Sequence, residues 1–374
     1  MNLARRPHHP DATTSAAAPA DNHPVIEVSG LRKWYPVRQG MLRSLFGQPA
    51  AHLKAVDGVT FALRAGEVLG IAGESGCGKS TTGMTVLHLH KPTGGEVRFE
   101  GQILDAHANR ATLKAFRRRA QIVFQNPYES LNPRLTVADS IREPIEIHFP
   151  DKPERHHEML VRAMERAGLV PVESYMDRFP HQLSGGQLQR VAIARAISIE
   201  PHFLVADEPV SMLDVSIRAG ILNLFRYFAT ELRMAILYIS HDLSTMRHVC
   251  THVGIMYLGK LVEIGRAEEV LDSPQHPYAR ALMAAAPAMG GRTRERIELS
   301  GALPNAAEMP SGCCFHPRCP MAMDVCRSTE PVLAPLSATR TVACHLHHPP
   351  AHGAPVQSGT TGASLPFTPL PEGA

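Results

Sequence analysis

The hydrophobic pattern changes period several times along the chain, and each change marks an element. Val25-Ile26-Glu27-Val28 begins a strand signal, and Lys54 to Leu63 alternates into a second strand. Then come apolar runs without alternation: Val68 to Ala72, Phe203 to Ala206, and Ala235 to Ser240. A strand that is apolar on every residue must be covered on both faces, as in a parallel sheet. Val97 to Gly101 and Gln121 to Gln125 read as shorter strands, the second ending on a polar residue. Helical spacing appears over Thr81–His90, Gln187–Ser198 and Ser216–Leu232, and residues 137 to about 182 predict a charged helical lobe. Val253 to Ile264 reads as a hairpin, and Pro274 to Ala286 as a short closing helix. Strands alternating with helices predict an α/β fold with a mainly parallel sheet.

Composition divides the rest. Residues 1–23 and 346–374 lack periodicity and are expected to be disordered tails. The main unit is expected over 24–286, with a separate Cys/Pro-rich module over 287–345. Residues between Tyr35 and His52 look like an insertion between two edge strands. Of 374 residues, 38 are basic and 35 acidic, for a net charge of +3, so nothing suggests a nucleic-acid binder. No uncharged apolar run approaches the roughly 18–20 residues that span a bilayer. Arg5 and Arg6 precede no apolar stretch, which argues against a secretory signal. The expectation is a soluble chain that docks on other subunits if it serves a membrane.

The candidate chemistry centres on Gly73-Glu74-Ser75-Gly76-Cys77-Gly78-Lys79-Ser80-Thr81, which fits G-x-x-x-x-G-K-[ST]. Glycines let successive N–H groups turn inward on a phosphate chain. Lys79 supplies a charge for the β- and γ-phosphates, and the Ser80 hydroxyl can ligate Mg²⁺. A helix starting near Lys79 would add its positive dipole end. The strand 203–207 runs into Asp207-Glu208, placing two carboxylates at the carboxyl edge of the sheet, where open α/β sheets bind ligands. Asp207 suits the magnesium shell, and Glu208 suits a general base on the attacking water. Leu183-Ser184-Gly185-Gly186-Gln187 is a turn opening a helix, a second surface for an anion. One nucleotide needs only one such surface. The natural resolution is a head-to-tail pair of subunits, each completing the other's site.

With these motifs, the sequence over about residues 25 to 345 resembles the nucleotide-binding subunit of ABC transporters. The resemblance implies a phosphate-loop ATPase fold with a parallel core, an antiparallel β subdomain, a helical subdomain and a small C-terminal module. It implies that Gln125 contacts magnesium and senses membrane subunits. It also implies that Ser211 to Asp214 form the D-loop, that His241 contacts the γ-phosphate, and that Tyr35 stacks on adenine, with Trp34 its rival. ATP and Mg²⁺ are the implied cofactors. The implied partners are two integral-membrane permeases, a second ATPase subunit or a second copy, and indirectly an extracytoplasmic binding protein, at the cytoplasmic membrane face.

Within that family the chain looks like the F-type ATPases of oligopeptide/dipeptide importers. The residues are Lys33 to Arg38, Phe124 to Pro127, Ser130 to Arg134, Phe179-Pro180-His181, Phe315 to Pro320 and Ala343-Cys344-His345. Asn126 and Gln182 depart from that family's usual Asp and Glu. The same motor type also serves nickel, glutathione and other importers, and a non-transport ABC ATPase is the more distant alternative. Of seven cysteines, Cys313, Cys314, Cys319, Cys326 and Cys344 crowd together. Thiolates at the 313, 319, 326 and 344 spacing suit zinc or an iron–sulfur cluster, or simply pack a small reduced domain. The resemblance favours [4Fe–4S], with Cys314 a spare. His316, His345, His347 and His348 lie near and could substitute as ligands, but the expectation places them at the surface or in the tail.

Overall fold

The computed structural model describes residues 23–37, 52–105, 108–285 and 309–349. The two expected tails, apart from His23 and residues 346–349, lie outside the described residues. So do most of the expected insertion before His52 and the first part of the C-terminal unit.

The chain begins with β1 (Ile26–Pro36) and β2 (His52–Leu63), paired antiparallel. Next, β3 (Val68–Ala72) feeds a glycine-rich loop and α1 (Lys79–Val86). The helix starts where the motif requires but ends four residues before His90, because His88 takes a left-handed backbone (φ 52). Then come β4 (Gly94–Phe99), β5 (Gln102–Leu104), α2 (Arg110–Arg119) and β6 (Ala120–Val123). The helical region holds α3 (Pro127–Ser130), α4 (Val137–His148), α5 (His156–Arg166), α6 (Glu173–Met176) and α7 (Gly185–Ile197). Then follow β7 (Phe203–Asp207), α8 (Val215–Thr230), β8 (Ala235–Ile239), α9 (Leu243–Val249), β9 (His252–Tyr257) and β10 (Lys260–Arg266). The described chain closes with α10 (Ala267–Asp272), α11 (Pro277–Ala285), α12 (Asp324–Ser328), β11 (Ala334–Ser337) and β12 (Arg340–Val342).

Two sheets result. The first is antiparallel, in the order β2-β1-β4-β5. The second runs β11-β12-β10-β9-β3-β8-β7-β6, and its β9-β3-β8-β7-β6 half is parallel. Every residue of β3, β7 and β8 is buried, which is why those runs do not alternate. Their side chains still do. Val68, Leu204, Ile236 and Tyr238 join the core shared with the helical region, while Leu69, Val205, Leu237 and Ile239 join the core beneath the antiparallel sheet. In α4 and α5, Ile141, Ile145, Leu160 and Met164 are buried at helical spacing against Leu188 and Val191 of α7. Among the described residues no helix is long and apolar enough to cross a membrane.

The C-terminal module is not a separate body. Its β12 pairs with β10, setting Glu263 opposite Val342, so the module extends the large sheet. Arg340 donates to the Ser273 carbonyl at 2.7 Å and lies 3.7 Å from buried Glu263. Phe315 packs edge-on to Tyr257 at 5.3 Å and tilted on Tyr278 at 5.4 Å.

Candidate active site

The carboxyl ends of β3, β7 and β8 place their following loops side by side, as parallel strands must. A cleft of about 590 Å³ opens there, lined by Tyr35, Ser75, Gly76, Lys79, Gln125, Glu208, His241 and their neighbours. The loop's backbone is shaped by Gly78 (φ 108), where an added Cβ would meet the Ala55 carbonyl at 2.0 Å. Lys79 is buried, and its Nζ donates to the carbonyls of Gly73 (2.9 Å) and Glu74 (3.0 Å). Its charge therefore stays at the loop's mouth. Cys77 is buried and its thiol pKa is raised chiefly by burial, so this cysteine packs while its neighbours turn.

Ser80 Oγ donates to Asp207 Oδ1 at 2.9 Å. Burial pushes the Asp207 pKa up, and the Ser80 hydrogen bond opposes that shift. A hydroxyl and a carboxylate are hard oxygen donors, so this pair fits Mg²⁺. Glu208 has a left-handed backbone (φ 46), uncommon for a residue with a side chain. That turn presents its carboxylate to two partners: Gln125 Nε2 donates to Oε2 at 3.0 Å, and His241 Nδ1 lies 3.0 Å from Oε1. Gln125, expected near magnesium, has its amide nitrogen on Glu208 here. The arrangement can hold a triphosphate by Lys79 and the loop amides, and can accept a proton at Glu208.

Tyr35 lines the cleft, whereas its rival Trp34 donates Nε1 to Asp57 at 3.2 Å. The Tyr35 hydroxyl lies 2.6 Å from His90 Nδ1, and Lys33 Nζ sits 4.8 Å from the Tyr35 ring centre. His90 and the cleft-lining Leu53 and Ala55 carry no sequence signal and were not expected here.

The second predicted anion surface is not brought to this cleft. Ser184 caps α7, its Oγ accepting from the Gln187 N–H at 3.4 Å, while the Gln187 side chain accepts from the Ser184 N–H at 3.0 Å. Gly186 is buried against Ile217, but Gly185 has room, with only Leu213 Cδ2 at 3.9 Å from an added Cβ. Asp214 precedes α8 without capping it, between Met212 (60% exposed) and Val215 (79% exposed).

In the C-terminal module, the Cys313 N–H donates to the Cys326 carbonyl at 2.8 Å. Burial first, and then the thiols of Cys326, Cys344 and Cys319, push the Cys313 pKa up to about 11. Cys314 is pushed up to about 12 by burial and otherwise senses Cys313, Lys260 and Glu330. Cys313 thus senses the other three thiols of the expected set. Among the described residues, however, no group of three or more His, Cys, Asp or Glu is arranged to hold a metal ion. His345, expected at the surface, is buried, with Nε2 2.9 Å from the Thr329 carbonyl.

Residues 56–211 match the ABC transporter family, and residues 262–326 match the oligopeptide/dipeptide transporter C-terminal region. The oligopeptide transport ATP-binding protein AppF of Bacillus subtilis is 44% identical over 331 residues, 88% of this chain and 99% of that protein. The dipeptide transport ATP-binding protein DppF of Haemophilus influenzae is 43% identical over 326 residues, 87% of this chain and 97% of that protein. Among solved structures, a dimeric ATP-binding cassette in a post-hydrolysis state with ADP and Pi superposes with a TM-score of 0.56. It is 26% identical and covers 65% of this chain and 98% of its own. With its relatives matched nearly end to end and the C-terminal region present, the chain belongs to the ATP-binding proteins of ABC transporters, in the oligopeptide/dipeptide branch.

Proposed function

We propose that the chain is the ATP-hydrolysing subunit of a bacterial importer that takes up dipeptides or oligopeptides through partner permeases. The observation that carries the reading is the meeting of Lys79, Ser80, Asp207, Glu208, Gln125 and His241 around one cleft. Tyr35 offers a ring for the adenine. Loop amides and Lys79 hold the phosphates, and Ser80 with Asp207 would hold Mg²⁺, which neutralises charge on the phosphate oxygens. Glu208 takes the proton of the attacking water as the new O–P bond forms and the bridging bond to ADP breaks. Gln125 and His241 keep that carboxylate aimed. Ser184 to Gln187, which do not line the chain's own cleft, serve the nucleotide of a second ATPase subunit, alike or related. Closure of the pair would drive permeases at the cytoplasmic membrane face, with cargo delivered by an outside binding protein.

The test is reconstitution of the chain with its permeases in vesicles. ATP supplied on the chain's side should drive uptake of a labelled dipeptide in the presence of the binding protein. ATP turnover without peptide uptake, but with uptake of another solute, would move the cargo assignment; no turnover at all would end the ATPase reading.

A second reading concerns the module. The sequence spacing of Cys313, Cys319, Cys326 and Cys344 supports a [4Fe–4S] cluster there. Anaerobic purification with iron and sulfide assays decides it: about four of each per chain supports the cluster, and a colourless, metal-free protein refutes it.

A further inference from the structure

One ion pair that the mechanism above does not use joins the C-terminal module to the phosphate loop. Arg318 Nη1 donates to both carboxylate oxygens of Glu74, at 3.2 and 3.0 Å. The two residues are 244 positions apart in sequence. The Arg318 side chain is only 9% exposed, so solvent screens the pair weakly. Glu74 sits inside the glycine-rich loop, next to Ser75 and Gly76 of the cleft lining. All three of its polar groups are engaged. Its N–H donates to the Tyr278 hydroxyl at 2.9 Å, its carbonyl accepts from Lys79 Nζ at 3.0 Å, and its carboxylate takes Arg318.

The arginine is itself held by the module. It ends the short turn His316–Arg318, and its N–H donates to the Phe315 carbonyl at 3.0 Å. His316 closes the turn onto the Cys313 carbonyl through its N–H, at 3.0 Å. Phe315 is buried against Tyr257 and Tyr278, the same tyrosine that receives the Glu74 N–H. The turn therefore has little freedom to place Arg318 elsewhere.

An anion in this loop is a poor neighbour for a triphosphate. Like charges repel over these distances, most strongly where water is excluded. We propose that Arg318 is a positioning residue for the nucleotide site. It holds and neutralises the Glu74 carboxylate, so that the C-terminal module sets the affinity of the phosphate loop for ATP. The inference rests on the reading of residues 73–81 as the ATP site, and wild-type binding tests that reading by itself.

The experiment is equilibrium binding of a fluorescent ATP analogue with Mg²⁺ to the full chain and its variants. Arg318→Ala leaves a bare carboxylate beside the phosphates and should weaken binding roughly fivefold, within the range of couplings between contacting residues. Glu74→Gln leaves a bare cation there and should tighten binding by about two- to threefold. The double variant should return to near the wild-type value, and Arg318→Lys should stay within about twofold of it. A pair that only tethers the module predicts something different: both single variants weaken binding, and the double variant recovers nothing. That pattern, or wild-type affinity in Arg318→Ala, overturns the proposal. Should Arg318→Ala fail to fold, Glu74→Gln decides by its sign alone, since weaker binding there refutes the charge argument. Failure of the wild type to bind ATP would instead refute the site assignment.

Discussion

The cleft at residues 73–81 and the turn at residues 184–187 are both proposed to meet an anion, yet they are finished differently. In the cleft, groups from distant parts of the sequence converge: Ser80 on Asp207, Gln125 and His241 on Glu208, Tyr278 and Arg318 on Glu74. In the turn, Ser184 and Gln187 satisfy each other, and among the described residues no side-chain hydrogen bond reaches them from elsewhere. The first region is organised by tertiary structure. The second is a local helix cap. A site whose groups are cross-braced must work as a unit, while a self-contained cap can be altered without disturbing its own chain.

That contrast can be broken experimentally. The largest effect is expected at Glu208. Glu208→Gln should lower ATP turnover by about 10²- to 10⁴-fold while ATP binding persists, as measured by phosphate release and by nucleotide binding. Turnover near wild type would remove Glu208 from its role as base. Next comes Gly185→Asp. A Cβ fits there, so folding and ATP binding by the isolated chain should hold. Turnover in the assembled transporter should fall by about a hundredfold, since an anion would face the partner's phosphates. An equal loss of ATP binding in the isolated chain would mean that the turn serves its own cleft. A smaller effect is expected at Tyr35. Tyr35→Ala should weaken ATP binding about tenfold, the usual scale for base–aromatic stacking, and Tyr35→Phe less, losing only its partner His90. An unchanged affinity in the alanine variant would return the role to another ring.

The smallest effect concerns stability. Burial raises the Asp207 pKa in the folded chain, so the folded state binds its proton more tightly than the unfolded state does. Stability from this group is complete below the ordinary aspartate range and is lost as pH rises through the raised value. At neutral pH without Mg²⁺, Asp207→Asn should therefore melt higher than the wild type, with the gap closing on acidification. A variant that melts lower at neutral pH would contradict the burial argument.

The fold was legible where chemistry is local. The apolar runs of β3, β7 and β8 announced a sheet covered on both sides, and the glycine and carboxylate motifs stood in contiguous stretches. Helix ends were less so: α1 stops at Val86 because of the backbone at His88, which no periodicity records. Long-range partners were invisible for the same reason. Tyr278 reaches Glu74 from α11, and Arg318 reaches it from a module whose β12 adds to β10. The same pairing made the expected separate module part of the main sheet. His345 looked like one of several tail histidines, and its burial follows from the Ala343–Val262 hydrogen bond beside it.

The joined strands also bear on how the chain could be shortened. Cutting away residues 309–349 would strip β10 of its neighbour β12 and bare a row of hungry backbone amides along Glu263 to Gly265. Such a trimmed chain would hunt for a replacement strand from its fellows, so that a graft or deletion made at this seam yields clumps where a simpler hinge would have yielded a smaller, well-behaved enzyme.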